Sequence, residues 1–322
     1  MSEFQTPNSS YPKLFVVGCP RSGTSWVTQL IGSHPDVITV PGETHLYPLI
    51  YRPFIELPSW PLKRRLSSWK GILRRYGLKP LLMGFHSSDI WPGILRDYQI
   101  LNRPNSHGLH QLVSQTQIKT LIKTAQTQRG NVIEQAEYLI GATLDAFFTQ
   151  CGKPTQTLLE KTPLHIRYID RILRYFPEAR IIEVIRDGRD VCVSYNALAQ
   201  QYAWARIGTA GAIRQWKQCI KLGKKFRNQS DLSSRIHPVF YENLKSAPIT
   251  CLEEIFDFAQ LSWNLDQVKT IVQLSDISHV RDRGEGQYVR SGLVGEWKER
   301  LSDTEISVCQ EIAGEELAAY PH

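Results

Sequence analysis

The sequence is first informative through what it lacks. No apolar run among its 322 residues reaches the roughly 18 residues that a membrane-spanning helix requires. The first twelve residues, MSEFQTPNSSYP, are polar and contain no apolar signal segment, which argues against secretion. We therefore expect no transmembrane segment, a cytoplasmic location and a disordered lead-in over 1–12.

Paired cysteines are also missing. The six cysteines are scattered and include no C-x-x-C pair, and no spacing matches a zinc site. We expect reduced packing thiols and no metal site. The cysteines concerned are Cys19, Cys151, Cys192, Cys219, Cys251 and Cys309.

The composition favours a folded, basic protein. Hydrophobic residues make up 42% of the chain, which is enough to bury a core. The net charge of +7 favours anionic ligands without choosing among them. Within 60–80 there are seven basic residues, no acidic one and three interleaved aromatics. This stretch is typical of a solvated helix face, and it leaves open an acceptor lid, an interfacial helix or a nucleic-acid contact.

Strand and helix patterns alternate along 13–322. Because alternation of this kind indicates a parallel sheet wrapped by helices, we predict a three-layer α/β fold in a single domain. The range 48–107 differs in character, being dense in Pro, Trp and basic residues, and is predicted to be a helical insertion. The predicted strands are 13–18, 37–40, 157–161, 180–185 and 236–242, and the clearest helices are 24–33 and 205–228.

The stretch VVGCPRSGTSW (16–26) has the outline of a phosphate-binding loop. The fingerprint G-x-x-x-x-G-K-[ST] is only partly met, because Gly18 and Gly23 are in place but Thr24 replaces the lysine. Arg21 supplies a cation instead, and Ser22 and Ser25 join Thr24 as hydroxyl donors near the amides of a helix N-terminus. The loop therefore predicts an anion site, although simple capping of the helix is an alternative.

A second basic motif, IIEVIRDGRDVCVSY, places Arg186 at the end of a predicted strand. Ser194 follows eight residues later, two turns into the next helix. The pair is suited to a second phosphate, and the alternative is a helix start decorated with surface salt bridges.

Three stretches together resemble a known family. P-R-S-G-T-S-W, R-D-G-R-D-V-x-V-S-Y and R-S-G-L-V-G-E-W-K resemble the signatures of sulfotransferases that use 3′-phosphoadenosine 5′-phosphosulfate (PAPS). The resemblance spans 13–46, 157–196 and 236–300, whereas 48–107 matches no known pattern. It implies the P-loop-NTPase-like sulfotransferase fold.

The resemblance also implies roles for individual residues. Arg21 to Ser25 would hold the 5′-phosphosulfate, and Trp26 would pack near the adenine. Ser291 departs from the family pattern, because the cytosolic branch has a lysine there. The residues implied for the 3′-phosphate and purine are Arg186, Ser194, Tyr241, Arg290 and Gly292.

Sulfuryl transfer also needs cations and a base. Arg21 and Lys161 are the candidate cations. One branch of the family has its base histidine in K-T-H, but Pro163 stands at that position here. The tyrosylprotein and heparan-type branch has a glutamate after the second strand, which Glu43 in P-G-E-T-H matches. Glu43 is thus the predicted base, with His165 and His45 as alternatives.

The expected activity is transfer of a sulfuryl group from PAPS to a hydroxyl or amine of a small-molecule acceptor. If 60–80 forms an acceptor lid, its basic charge favours an anionic acceptor, and we expect neither a metal nor a nucleic-acid partner. The alternatives are a nucleoside or small-molecule kinase with a degenerate loop, which would need Mg²⁺, and a non-catalytic nucleotide-binding protein. The sequence names neither the acceptor nor the oligomeric state.

Overall fold

The computed structural model describes residues 11–51, 73, 90–101, 109–275 and 292–320. They belong to two compact units. The sheet unit contains residues 12–39 and the described residues from 159 onward. The helical unit contains residue 11 and the described residues of 40–158. The single domain over 13–322 stays a prediction, and the disordered lead-in falls almost entirely outside the described residues.

A five-stranded sheet has the order β2-β3-β1-β4-β5. β1 pairs in parallel with β4, with Val16 opposite Ile182, and β4 pairs in parallel with β5, with Val184 opposite Val239. The predicted α/β architecture is confirmed. The strands are β1 (Lys13–Gly18), β2 (Val37–Thr39), β3 (Thr157–Lys161), β4 (Arg180–Ile185) and β5 (Ile236–Phe240).

The strand order decides where a ligand can bind. After β1 the chain moves to β2 on one side of it, and after β3 it crosses to β4 on the other side. In open α/β sheets, a crevice forms beyond the carboxyl ends of the strands at such a reversal. The loops after β1 and β4 therefore share one crevice edge. All residues of β1 are buried, as expected for a strand covered on both faces.

Helices follow or precede each strand. Those of the N-terminal half are α1 (Thr24–Gly32), α2 (Leu46–Tyr51), α3 (Ile90–Leu101), α4 (Gln115–Thr127) and α5 (Val132–Cys151). The C-terminal half contributes α6 (Ile169–Tyr175), α7 (Gly188–Ala199), α8 (Gly208–Arg227), α9 (Tyr241–Ser246), α10 (Pro248–Ala259), α11 (Leu265–Leu274), α12 (Trp297–Arg300) and α13 (Asp303–Ala318).

One hydrophobic cluster anchors α1 in the sheet unit. Val27 and Leu30 of α1 lie in the same buried cluster as Val16 of β1 and Ile255 and Phe256 of α10. Each such side chain contributes about 1.5–3 kcal/mol by leaving water. The N-terminus of α1 is thereby held firmly at the carboxyl end of β1.

The helical unit is held by aromatic contacts and caps. Tyr11 stacks on Phe148 with ring centroids 3.7 Å apart and donates a hydrogen bond to Asp145. Capping boxes at Ser114 and Asn131 begin α4 and α5. Within the described residues, no helix combines the length and apolarity needed to cross a bilayer.

Most predicted boundaries hold. β1, β3 and β4 have the predicted bounds, and α1 and α8 match the predicted helices to within a few residues. The strand predicted over 236–242 is wrong at its end, because Tyr241 begins α9. The predictions for 60–80 lie outside the described residues, Leu73 excepted.

The cysteines bear out the thiol prediction in part. All six are free, and Cys19, Cys192, Cys219 and Cys309 are buried. Cys151 is exposed, so its interpretation as a packing thiol was wrong. The described residues contain no cluster of three or more His, Cys, Asp or Glu side chains that could hold a metal ion.

Candidate active site

The loop after β1 presents backbone amides at the N-terminus of α1. Gly23 is the N-cap residue, at φ 96°, and no side chain caps the helix. Because the first amides of a helix have no intrahelical acceptor, those of Thr24 and Ser25 are available to an anion. Arg21 also adopts a left-handed backbone, at φ 78°, a conformation that costs free energy for a residue other than glycine.

Ser22 secures the loop rather than facing outward. Its side chain is buried, and its hydroxyl lies 2.7 Å from the Cys19 carbonyl and 3.1 Å from the Val184 carbonyl. The second contact ties the loop to β4. The binding role predicted for Ser22 stays a prediction, and its observed hydrogen bonds indicate that it shapes the loop.

The two predicted anion sites are in direct contact. Arg21 Nε donates a hydrogen bond of 3.0 Å to Ser194 Oγ of α7. The resemblance implies that Arg21 and Ser194 bind different phosphates. The fold brings the two residues together, although they are 173 positions apart in the sequence. One crevice therefore holds both motifs.

Arg186, which follows β4 directly, is buried, with 6% of its surface exposed. Its Nη2 donates to the Leu293 carbonyl at 2.7 Å and lies 3.7 Å from Asp190 Oδ2. Its Nε is also buried and has no hydrogen-bond partner within the described part of the chain. A buried guanidinium N–H requires an acceptor, so this donor set fits an anionic ligand.

Aromatic residues line the loop on one side. The rings of Trp26 and Tyr241 meet edge to face with centroids 5.5 Å apart, and the Arg186 guanidinium lies 4.5 Å from the Tyr241 centroid. Burial raises the pKa of Tyr241, nearby Arg186 opposes part of that rise, and the resulting pKa is about 12. The phenol is therefore neutral at pH 7 and donates to the Gly292 carbonyl at 2.8 Å.

Lys161 reaches the loop from the end of β3. Its Nζ lies 3.5 Å from Ser25 Oγ, so the cation predicted from the E-K-T-P turn stands beside the exposed hydroxyl of the loop. Ser25 and Lys161 thus meet in the sheet unit.

The candidate bases differ in their surroundings. Glu43 Oε2 lies 3.3 Å from His45 Nε2, and both side chains are partly exposed in the helical unit. His165 is fully buried, with Nδ1 3.1 Å from Glu160 Oε2. The burial and this contact favour a structural role for His165 over the alternative role of base. The assignment of Glu43 as the base stays a prediction.

A profile of the sulfotransferase family matches residues 12–76 and 86–264. The chain belongs to the sulfotransferase family. The match includes the loop after β1, β3 and the Arg186 motif, whereas 292–300 lies beyond it.

Among curated sulfotransferase relatives, protein-tyrosine sulfotransferase 1 of Danio rerio is 19% identical over 260 residues, covering 80% of this chain and 55% of that protein. An uncharacterized protein of Aquifex aeolicus is 24% identical over 283 residues, covering 83% of this chain and 28% of that protein. The chain thus spans about half or less of the length of these relatives.

Solved sulfotransferase structures share the fold. The sulfotransferase domain from the curacin biosynthetic pathway superposes with a TM-score of 0.52 at 16% identity, covering 97% of this chain and 98% of that one. Mouse sulfotransferase SULT7A1, complexed with PAP, gives a TM-score of 0.50 at 12% identity, covering 95% and 84%. At such identities the likeness establishes the fold alone.

The C-terminal sulfotransferase motif is described in part. Arg290 and Ser291 lie outside the described residues, so the predicted flap arginine stays a prediction. Gly292 is described, in a left-handed conformation with φ 61°.

Sequence reasoning missed Asp190. As the DGRD alternative expected, Asp187 caps α7 and pairs with Arg189, although Asp187 is buried and does not lie at the surface. Asp190, however, is buried and accepts hydrogen bonds from the amides of Gly295 and Trp297. The signal was its fixed place in R-D-G-R-D, four residues after Arg186, but nothing local showed which segment it would bind.

Proposed function

We propose that the chain transfers a sulfuryl group from PAPS to a hydroxyl or amine of a small-molecule acceptor and releases adenosine 3′,5′-bisphosphate. The observation that carries the proposal is the convergence of the α1 amides, Arg21, Ser194 and Arg186 at the carboxyl ends of β1 and β4. A donor with two separate anionic groups suits two adjoining sets of anion-binding residues.

The first set would hold the phosphosulfate. The amides of Thr24 and Ser25 and the cations Arg21 and Lys161 would surround it, with Gly23 allowing close approach of the backbone. The second set, Arg186 and Ser194, would hold the 3′-phosphate. The Arg21–Ser194 hydrogen bond supports adjacency of the two sets.

The chemistry would be an in-line displacement at sulfur. Negative charge grows on the bridging and sulfuryl oxygens, where Arg21 and Lys161 would donate hydrogen bonds. Each preorganised donor of this kind contributes about 2–4 kcal/mol to transition-state stabilisation. The Lys161–Ser25 contact supports the placement of Lys161 at the phosphosulfate end.

Glu43 would accept the proton of the attacking hydroxyl or amine. Its support is the P-G-E-T-H pattern after β2 and a partly exposed carboxylate that contacts His45. The seven basic residues within 60–80 support an anionic small-molecule acceptor, if this stretch forms an acceptor lid.

Calorimetric titration with adenosine 3′,5′-bisphosphate and, separately, with ATP and Mg²⁺ tests the proposal. We expect tight binding of the bisphosphate and weak binding of Mg·ATP. Stronger binding of Mg·ATP would contradict the proposal and favour a kinase.

In the same titration, the variant Arg186→Ala tests the assignment of Arg186 to the 3′-phosphate. Removing a desolvated cation from an anion site typically costs 2–5 kcal/mol, so we expect the bisphosphate affinity to fall roughly 100-fold. Arg235→Ala is the matched control, because its guanidinium also donates to backbone carbonyls, those of Leu173 and Pro177, but belongs to neither motif. Equal affinities in the two variants would refute the 3′-phosphate assignment.

A further inference from the structure

The segment 292–297, G-L-V-G-E-W, lies against the Arg186 motif. Leu293 and Val294 expose 56% and 50% of their surface, so these two side chains do not anchor it in a core. The attachment instead uses its backbone. Tyr241 and Arg186 donate to the carbonyls of Gly292 and Leu293.

Asp190 completes this attachment. Its Oδ2 accepts the Gly295 amide and its Oδ1 accepts the Trp297 amide, both at 2.9 Å. The carboxylate is 1% exposed, and hydrogen bonds to a buried charged group are about twice as strong as neutral ones. Burial raises the pKa of Asp190, while Arg186 and the two amides oppose that rise.

The backbone of the segment is shaped to make these contacts. Gly292 and Gly295 have left-handed φ angles of 61° and 76°, which glycine adopts without strain. The Arg189 guanidinium stacks on the Trp297 ring at 3.6 Å from its centroid. Three residues of R-D-G-R-D, namely Arg186, Arg189 and Asp190, therefore contact one short segment.

The attached segment also bears on Arg186. The Leu293 carbonyl accepts a hydrogen bond of 2.7 Å from Arg186 Nη2, and Asp190 Oδ2 lies 3.7 Å from the same nitrogen. Both contacts are made by Nη2, so they orient the guanidinium and leave its buried Nε without an acceptor among the described residues. The segment therefore holds Arg186 in an orientation in which Nε is available to an anion.

We propose that Asp190 is a positioning residue that fixes segment 292–297 on Arg186 and so raises the affinity of that arginine for the donor's phosphate. The attachment is a property of the free protein. The effect on affinity rests on the proposed function.

Hydrogen exchange of the full chain without ligand tests the attachment. We expect the Gly295 and Trp297 amides to exchange at least about 10-fold faster in Asp190→Asn than in the wild type, because charged hydrogen bonds are lost. Glu183→Gln is the matched control, since Glu183 is a buried carboxylate that pairs with Arg227. Unchanged exchange in Asp190→Asn would overturn the proposal.

Titration with adenosine 3′,5′-bisphosphate tests the effect on Arg186. Asp190→Asn should bind roughly 10-fold more weakly, and Glu183→Gln should bind like the wild type. A lower melting temperature with unchanged affinity would overturn the positioning role. If the wild type itself fails to bind, the proposed function fails, whereas faster exchange in Asp190→Asn would still support the attachment.

A second pair of variants serves if Asp190→Asn does not fold. Gly295→Ala strains the segment without altering the buried carboxylate, because a Cβ there meets nothing within 4 Å. Gly208→Ala is its control, since Gly208 is also left-handed and equally open. Weaker bisphosphate binding in Gly295→Ala than in Gly208→Ala supports the proposal, and equal binding contradicts it.

Discussion

At the scale of single residues, Gly23 shows how closely the loop is packed. Its φ of 96° is left-handed, and a Cβ would collide with the Tyr241 ring. The residue therefore meets two separate demands, a backbone conformation and a space without a side chain. The loop pattern in the sequence placed a glycine here, but neither its backbone conformation nor the nearby Tyr241 ring was visible in that pattern.

Gly23→Ala should therefore abolish most binding of adenosine 3′,5′-bisphosphate while leaving the chain folded. The left-handed backbone alone costs an alanine about 1–2 kcal/mol, and the collision adds to that cost. Gly208→Ala carries only the backbone cost, at a position outside the loop, and controls for the effect of such strain on the fold as a whole. Calorimetry should show a much larger loss for Gly23→Ala, and equal losses would contradict the packing argument.

Glu43→Gln should retain bisphosphate binding and lose turnover. General-base catalysis typically contributes 10²–10⁴-fold, so we expect a loss of that order in transfer from labelled PAPS to whichever phenol, alcohol or amine a screen identifies as acceptor. Undiminished transfer would move the role to His45, because His165 is buried against Glu160.

At the scale of elements, α13 depends on its first turn. Ser302 and Glu305 form a capping box. Glu305 Oε1 also accepts hydrogen bonds from Asn196 of α7 and Thr209 of α8. The hydrogen bond from the Ser302 amide has the largest effect on the pKa of Glu305, which it lowers. The bonds from Thr209 and Asn196 lower this pKa further. The carboxylate thus joins three helices while capping one.

Glu305→Gln should lower the free energy of unfolding by about 1 kcal/mol at pH 7, in line with lost caps. Since the folded state lowers this pKa, the wild-type advantage is present above the ordinary glutamate pKa and is lost as pH falls through the folded value. Urea unfolding at pH 7 and in acid measures this difference. Glu299→Gln, at an exposed position, should behave like the wild type. If the difference in unfolding free energy between the wild type and Glu305→Gln is the same in acid as at pH 7, the stabilising role of the Glu305 carboxylate is contradicted.

At the scale of the whole molecule, the cations proposed to bind the donor come from distant parts of the sequence. Arg21, Lys161 and Arg186 come from three different strand ends, and Thr24 replaces the lysine of a nucleotide-triphosphate loop. If these cations neutralise the donor, transfer needs no added divalent ion.

Sulfuryl transfer should accordingly keep its rate when the protein is assayed in EDTA, and added Mg²⁺ should not raise it. The reason is that, in the proposed in-line step, Arg21 and Lys161 would stabilise the developing charge. The assay compares EDTA-treated protein with the same sample after Mg²⁺ is restored. A rate that falls in EDTA and recovers with Mg²⁺ would favour the kinase.

The sequence by itself determined the local elements and the chemical groups. The apolar runs of β1 and β4 and the loop glycines depend on neighbours within a few residues, so their positions and types were predictable. The strand predicted over 236–242 was two residues too long, because the helix that begins at Tyr241 was not visible in the local pattern.

Only the tertiary structure decided which groups meet. The Arg21–Ser194 hydrogen bond joins residues 173 positions apart, and Asp190 reaches Gly295 across 105. Such contacts depend on strand order and helix packing, which no local pattern specifies. Burial is likewise set by the whole fold, and it is burial that makes the Nε of Arg186 and the carboxylate of Asp190 require partners.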